Sequence, residues 1–501
     1  MFPNASGQVT RLSTENPEFG RVTIYTDEKQ ITAANVVAVL QNALKIHEQN
    51  ATRIDYLWRY YKGEQPILQR EKKVRPEINN KVVENRANEI ITFKTGYLVG
   101  EPMQYVARGD EKGVSEKVKQ LNDYMLLRQK SKLDHDLAEW FHVCGTAYRI
   151  GLPTPKDEDY QDCPFQSFVL DPRYTFVIYS SGLGHKPMAG VMYIIREDGS
   201  QEFTVYTDRS FFEIVDGQLT KSAGHTMGMV PIIEYPANNA HLGAFEIVLP
   251  LLNALNAVAS NRMDAVEQFV QSFLKFINCD IDETSFQALR DMGAIKIKSL
   301  DGQKADVDMV SSELNQTQTQ TLKDDLYEAV LVICGMPNRN GGSSTSDTGQ
   351  AVMLRDGWSD AEARAKDTEM LFVANEYRYL RLIFNICGAT SELSMKLTDV
   401  GMKFTRRNHS DILTKSQVLT TMLDSDKIHP RLAFSHCGMF VDPEEAYLVS
   451  DAYRKEQEKK AADLAAKNAD NPGNGADHTD SEVPKTREGE NPDKNGDSPA
   501  E

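Results

Sequence analysis

The amino-acid sequence predicts a mainly helical α+β protein of several domains that ends in a disordered acidic tail. Apolar residues recur at helical spacing over several long segments, which is typical of amphipathic helices packed on a core. A central set of short segments alternates apolar and polar residues between Gly and Asp turns, which is typical of strands. From residue 468 onward the chain has no Leu, Ile, Met or aromatic residue, and acidic residues dominate.

The composition is that of a globular protein with room for about three domains. The 501 residues are 40% hydrophobic and 26% charged, and the formal net charge is −17. Tight non-specific DNA binders usually carry a basic face that neutralises phosphates, so we expect any contact of this acidic chain with DNA to be loose. No apolar run is as long as a membrane span, and the first residues do not resemble a secretory signal. The six cysteines form no C-x-x-C pair, which favours buried thiols in a reducing compartment.

Residues 1–240 are predicted to mix helices with strands. Apolar residues at helical spacing predict three helices in this region, at 31–61, 79–98 and 131–143. Alternating apolar and polar residues predict five strands, at 165–170, 175–179, 191–196, 202–207 and 211–215.

The segment that follows carries one long apolar stripe. Apolar side chains in residues 242–277 fall at steps of three and four, which predicts a long helix. In residues 278–310, two alternating segments are separated by Asp301 and Gly302, which predicts a β-hairpin. A second helix is predicted at 313–335. Two long helices that flank a small knob are typical of a stalk with a tip.

Beyond the stalk the sequence predicts a loop, further helices and a tail. Adjacent glycines and a serine run predict a flexible loop at 338–347. A long helix is predicted at 348–386, and shorter helices broken at prolines are predicted within 411–458. In residues 468–501 nine acids oppose three bases, and so little apolar area cannot offset the entropy of ordering the chain. We therefore expect this end to be disordered.

The sequence offers no convincing catalytic or metal-binding motif. A P-loop requires a Gly-Lys pair, and none occurs anywhere in the chain. The patterns G-x-S-x-G, H-E-x-x-H and the EF-hand are also missing. His135, Glu139 and His142 lie at i, i+4 and i+7 and could share a metal ion. The opposite face of the same helix is apolar, so a solvated face is the favoured interpretation.

Two other groups of residues have alternative interpretations. Asp264 and Glu267 on the long helix could be a catalytic carboxylate pair, but an ordinary polar helix face is favoured. The aromatic residues around Trp58 could stack on bases or pack in a core, and core packing is favoured.

Several segments, taken together and in order, resemble the portal proteins of tailed phages. The group in question is typified by the portals of long-tailed phages of Gram-positive bacteria. The similar segments are 60–68 (YYKGEQPIL), 76–81 (PEINNK), 94–102 (KTGYLVGEP), 249–256 with 260–270 in the long helix, 335–351 around the glycine loop, and 440–446 (FVDPEEA). Asn338 stands where the family often has Asp.

The resemblance implies a multi-domain portal fold whose subunits join head to tail in a closed ring of about twelve copies. It divides the chain into an N-terminal region and wing (1–240), a stem helix (241–277), a clip (278–312), a second stem helix (313–336), a tunnel loop (337–348), a long helix and wing return (349–408), a crown (409–467) and the tail (468–501). No cofactor is implied.

The resemblance also implies that the tunnel loop projects into a channel for double-stranded DNA. We predict that Arg339 contacts DNA there, flanked by Asn338 and Asn340, with Gly341 and Gly342 permitting movement. Two further candidate DNA contacts are predicted on the stem helices, Lys275 and Lys323. An acidic wall with few cationic points would let DNA slide, since a positively charged channel would hold it.

The partners implied by the resemblance are those of a portal vertex. They are further copies of the chain, double-stranded DNA without sequence preference, terminase, a head-completion adaptor, and the scaffolding and major capsid proteins. The expected location is the capsid vertex of the virion after assembly in the host cytoplasm, with no membrane partner. A packaging enzyme and another head morphogenesis protein are the alternatives.

Overall fold

Helices and short strands alternate in blocks along the chain, as the sequence predicts. The structure is a computed structural model, and it describes residues 19–108, 113–155, 162–270, 273–277, 279–280, 287, 298–299, 306–310, 316–338, 357–390, 393–404, 412–440 and 443–469. By its internal contacts the chain divides into two units, Met1–Asn408 and His409–Glu501. The predicted disordered tail, beyond residue 469, lies outside the described residues.

The helices of the first unit are mostly amphipathic, and each overlaps a predicted helix except the third, at Val114–Leu127, which was not predicted. They are α1 (Val36–Lys62), α2 (Arg86–Val99), α3 (Val114–Leu127), α4 (Lys130–Cys144), α5 (Leu249–Val270), α6 (Gln316–Cys334) and α7 (Trp358–Thr390). Helix α2 begins seven residues later than predicted, because residues 80–85 are extended and Asn85 caps the helix by accepting a hydrogen bond from the Asn88 amide.

The strands form one large sheet and several small ones. They are β1 (Ile24–Thr26), β2 (Gln104–Ala107), β3 (Thr146–Pro153), β4 (Phe165–Leu170), β5 (Thr175–Ser180), β6 (Pro187–Ile195), β7 (Gln201–Tyr206), β8 (Ser210–Val215), β9 (Gln218–Gly224), β10 (Ile232–Pro236), β11 (Phe273–Ile277), β12 (Cys279–Asp280), β13 (Lys298–Ser299), β14 (Asp306–Val310) and β15 (Val400–Lys403). The large sheet has the order β1-β5-β6-β7-β8-β9, and a second sheet has the order β10-β3-β4. All five predicted strands of this region are confirmed.

The turn of the hairpin predicted around Asp301 and Gly302 lies outside the described residues. Within them, strand β14 pairs antiparallel with β11, and Phe273 lies opposite Val310. The short strand β13 pairs with β12 in the same way. The long helix that was predicted to reach residue 277 ends at Val270. The chain then forms the strand β11.

The described residues of the first unit form three large hydrophobic cores, and two of them include α5, α6 or α7. One packs helices α3, α4 and α7 against the β10-β3-β4 sheet, with Leu121, Leu137 and Leu382 fully buried. The other packs the end of α1 and the start of α2 against α5 and α6, through residues such as Tyr60 and Leu255. Trp58 stacks on Trp140 with ring centroids 4.2 Å apart, which confirms the core interpretation of the aromatic cluster.

A cluster of four charged side chains lies within the first of these cores. Glu376 of α7 accepts hydrogen bonds from the hydroxyls of Tyr105 and Tyr235 at 2.6 and 2.7 Å. It also pairs with Lys130 and Arg149, each at 3.1 Å. Burial alone would raise the pKa of Glu376, but the two cations and the hydroxyls outweigh it and lower the pKa to about 2. Asp134 pairs with the same two cations and completes the cluster.

The second unit, taken by itself, is helical where it is described. Its helices are α8 (Ile412–Leu423), α9 (Pro430–His436) and α10 (Pro443–Ala469). His429 caps α9, since its side chain accepts a hydrogen bond from the Arg431 amide at 3.2 Å. The breaks predicted at two prolines are confirmed, but α10 is long and runs past the predicted end of this block at residue 467.

Candidate functional site

The predicted stem consists of the helices α5 and α6, which run antiparallel and pack in the second core. The end of the pair at the start of α5 is well packed, since Leu252, Leu255 and Val330 are at 2% exposure or less. Arg262 donates a hydrogen bond to the Gln320 side chain at 2.6 Å and joins the two helices lower down. The apolar stripe predicted on α5 continues beyond this core. Met263 and Val266 are therefore 50% and 40% exposed.

Part of the polar face predicted on α5 is buried: Asn256, Ser260 and Asp264 are at 4% exposure or less, whereas Glu267 is exposed. Asn256, Ser260 and Asp264 are spaced four residues apart, so they lie on one face of the helix. Their side-chain oxygens accept hydrogen bonds from three backbone amides of the extended segment before α2. The amides are those of Glu84, Val82 and Asn80, at 2.8, 3.0 and 2.7 Å. The helix thus supplies acceptors to backbone amides that, within the described residues, belong to no helix or strand.

Asp264 adds charge to this contact. Its carboxylate pairs with Arg70 at 3.0 Å and with Lys72 at 3.1 Å. Burial opposes ionisation of Asp264, but the Asn80 hydrogen bonds and the two cations lower its pKa. Glu267 accepts a hydrogen bond from the Asn80 side chain at 2.9 Å. The two carboxylates therefore serve to hold residues 70–80 on the stem.

The two lysines predicted on the stem helices lie in different surroundings. Lys323 is on α6, as predicted, and its ammonium pairs with Glu84 at 2.5 Å. The side chain of Lys323 is three-quarters buried. Because its partner is Glu84, it points toward the start of α2. Lys275 is not on a helix at all, because it lies in strand β11 opposite Asp308 of β14.

The end of α6 is closed by a glycine cap and an arginine from α7. Gly335 has a positive φ of 63°, and the Met336 amide donates to the Leu331 carbonyl at 2.8 Å, which is a Schellman cap. Arg364 donates to the carbonyls of Ile333 and Val332 at 2.6 and 3.3 Å. A positive group at a helix C-terminus also interacts favourably with the helix dipole. The predicted loop therefore leaves the stem from a fixed point.

Among the loop residues predicted to contact DNA or flank the contact, Asn338 lies within the described residues, and it lines a cavity. The cavity has a volume of about 310 Å³ and lies between α2 and α6. Tyr327 crosses it, donating to Glu89 at 2.8 Å, and the Arg86 guanidinium lies 4.2 Å from the centre of its ring. Arg339, Asn340, Gly341 and Gly342 lie outside the described residues.

The histidines of α4 do not form a shared site. His135 is exposed, as predicted for a solvated face, but His142 is buried and its Nδ1 lies 3.1 Å from the Thr95 hydroxyl. Burial, with Lys94 nearby, lowers the pKa of His142 well below its usual value. Glu139 accepts a hydrogen bond from Tyr61 at 2.7 Å. Within the described residues no group of three His, Cys, Asp or Glu side chains is placed to hold a metal ion.

The glycine cap of α6 and the buried hydrogen-bond acceptors of α5 were not predicted, although each has a recognisable pattern in the sequence. Gly335 followed two residues later by Pro337 is a common pattern at helix ends. Asn256, Ser260 and Asp264 recur at a step of four, which places them on one face but does not say what covers that face. Among the described helices none has the length and hydropathy needed to cross a bilayer.

Comparisons with known proteins identify a family and similar solved structures. Two of the solved structures that match have low identity. The first is the neck of an empty GTA particle, with 11% identity, 71% of this chain and 90% of that chain covered, and a TM-score of 0.44. The second is the virion of a native gene transfer agent particle, with 10% identity, coverage of 78% and 94%, and a TM-score of 0.43. No curated protein matches. Residues 40–469 match the family described as phage portal protein, SPP1 Gp6-like. This match spans most of the 501 residues, and the chain therefore belongs to that portal protein family, which is structural and not enzymatic.

Proposed function

We propose that this chain assembles into a ring at one vertex of a phage capsid and conducts double-stranded DNA during packaging and ejection. The observation that carries the proposal is the family match over residues 40–469, which includes both stem helices and the loop between α6 and α7. The same resemblance implies a ring of about twelve copies. Head-to-tail contacts form a closed ring when the rotation between neighbouring copies divides a full turn evenly.

The charge of the chain suits a conduit better than a clamp. Each phosphate that a protein neutralises strengthens binding and its dependence on salt. The net charge of −17 leaves no general attraction for a polyanion. Lys323 of α6 pairs with Glu84, and Arg70 and Lys72 share Asp264 as their partner on α5. These cations near the stem helices are engaged within the chain, which favours sliding.

The loop after α6 is the proposed point of DNA contact. It leaves the stem at the cap formed by Gly335 and Arg364, so its base has a defined position. Arg339 follows directly and supplies one cation per subunit, and Gly341 with Gly342 permits backbone rearrangement. One arginine per copy would steady the DNA without fixing its register. Lys275, in strand β11, belongs instead to the clip end of the stem.

The other proposed partners follow from the same assignment. The strands β11 to β14 would form the clip that meets terminase and later the head-completion adaptor. The unit from residue 409 would be the crown on the inner side of the capsid. Scaffolding and major capsid proteins would surround the ring in the virion.

A packaging reaction tests the conduit and its loop. Arg339→Ala, and separately deletion of residues 338–343, should change the packaging rate or the length of the packaged genome. Arg209→Ala is the matched control, because Arg209 is an exposed arginine of the turn between β7 and β8. Unchanged rate and length in both loop variants would exclude the loop as a DNA contact. Packaging that proceeds equally well without the chain would exclude the conduit itself.

A further inference from the structure

The stem has two flanks that point in opposite directions. Arg262 reaches α6 through Gln320, whereas Asp264 holds Arg70 and Lys72. Successive residues of a helix are rotated by about 100°, so side chains two apart point to nearly opposite sides. Helix α6 therefore lies on one side of α5, and the segment of residues 66–81 lies on the other.

The outer face of α6 is acidic and partly apolar. Asp325 and Glu328 are exposed there, next to Leu322 at 50% exposure and Val332 at 64%. These residues are spaced by three or four and so share one face. Lys323, the one basic residue in the sequence of this helix, is turned inward to Glu84. We call this face the acidic flank.

The segment of residues 66–81 has the opposite character. It carries five basic and two acidic residues in a chain whose net charge is −17. Arg70 and Lys72 are used at Asp264, but Lys73 and Lys81 are exposed. Val74 is 77% exposed and Leu68 is 44% exposed. We call this surface the basic flank.

We propose that the acidic flank of one copy packs against the basic flank of the next. The inference rests on the proposed ring, in which each subunit must present two different surfaces on opposite sides. Opposite charges on these surfaces fix which flank meets which and disfavour contact between like flanks. Leu322 and Val332 on one side, and Leu68 and Val74 on the other, supply apolar area that a neighbour would cover.

Reversing the charge of each flank tests this pairing in the full-length chain. Asp325→Lys with Glu328→Lys should raise the concentration at which half of the chains are in rings by about tenfold or more, because the repulsion recurs at every interface. Lys73→Glu with Lys81→Glu should do the same. Combining all four substitutions should restore assembly, since the charges are then exchanged and still complementary. The particle masses are read by native mass spectrometry over a dilution series.

A matched control carries the same change of charge elsewhere. Asp123→Lys with Glu197→Lys replaces two exposed acids of α3 and the β6–β7 turn and should assemble like the unchanged chain. The defect in each flank variant should shrink at about 1 M salt, where charges are screened within about 3 Å. Tryptophan fluorescence checks that each variant is folded.

The outcomes separate this pairing from the ring itself. Rings of the unchanged chain, together with normal assembly of either flank variant, would overturn the pairing and leave the ring intact. Failure of the fourfold variant to recover would overturn it as well. If the unchanged chain forms no ring at any concentration, the proposed function fails first.

Discussion

The long helix α7 and the stem helix α5 both bury polar side chains, but their surroundings differ. On α7, Glu376 is surrounded by two cations and two hydroxyls of the same unit, and apolar residues enclose the whole cluster. On α5, Asp264 is buried under one flanking segment, and one residue earlier Met263 is half exposed. In the region around α7 the buried charges are paired within the same unit. The stem leaves apolar area open, as expected of a surface that another copy completes.

The largest expected effect comes from breaking the cluster around α7. Glu376→Gln should lower the free energy of unfolding by about 3–5 kcal/mol, because Lys130 and Arg149 would keep their buried charges with one carboxylate fewer. Urea unfolding followed by tryptophan fluorescence measures it, since all three tryptophans lie in the first unit. Asp136→Asn, which removes an exposed pair with Lys132, should cost less than about 1 kcal/mol. Equal losses in the two variants would contradict the assignment.

The packing of α1 on the large sheet should respond to acid through His47, which stacks on Phe176 of β5. Burial lowers the pKa of His47 to about 4, although its hydrogen bond to the Arg173 carbonyl opposes the shift. The unfolded chain takes up the proton near pH 6.5, so stability is complete above that pH and falls as the pH decreases toward 4. The loss should reach about 3 kcal/mol at pH 4. His47→Gln should flatten this part of the pH profile, whereas the exposed His135→Gln should leave its slope unchanged.

Weakening the polar contact on α5 should have a smaller and more local effect. Asp264→Asn should cost about 2 kcal/mol, because Arg70 and Lys72 lose their partner but are partly exposed. Trypsin should then cut sooner after the basic residues of the 66–81 segment. Ser260→Ala removes one acceptor and should cost about 1 kcal/mol. Unchanged cleavage in Asp264→Asn would show that the carboxylate does not hold the segment.

The smallest effect concerns the cap at the end of α6. Gly335→Ala should cost about 1–2 kcal/mol, because φ is +63° and the new Cβ would lie 2.2 Å from the Arg364 side chain. Gly388→Ala is the control, since this glycine lies within α7 with nothing within 4 Å of the added atom. It should stabilise the helix by roughly 0.5–1 kcal/mol. A stabilised Gly335→Ala would mean that the cap does not constrain the end of the stem.

Helices and strands are predicted best from the sequence where one of their faces packs on a core and the other does not. In strands β7 and β8 buried residues alternate with partly exposed ones, because one side of each strand packs on a core. Strand β3 escapes this rule because its first six residues are all buried, including Arg149 at the charge cluster. Arg149 is accommodated there because it pairs with Asp134 of α4 and with Glu376 of α7, and Glu376 lies far away in the chain.

In the candidate site, the sequence does not show which residues or strands contact each other. The polar residues of α5 look like a solvated face, and only the fold reveals that residues 80–84 dock there. The alternation of residues 306–310 predicts a strand, yet its partner β11 lies some thirty residues earlier. His142 shares a helix with the exposed His135 but faces Thr95 in the core. Long-range packing decides each of these cases, and local pattern does not encode it.

The most direct test of the account is the mass and shape of the particles that the full-length chain forms. Negative-stain images combined with native mass spectrometry should show rings with a central hole, of about twelve times the chain mass of 56.3 kDa. Such rings would support the proposed head-to-tail assembly. Monomers at every concentration, or open filaments without closed rings, would contradict the account.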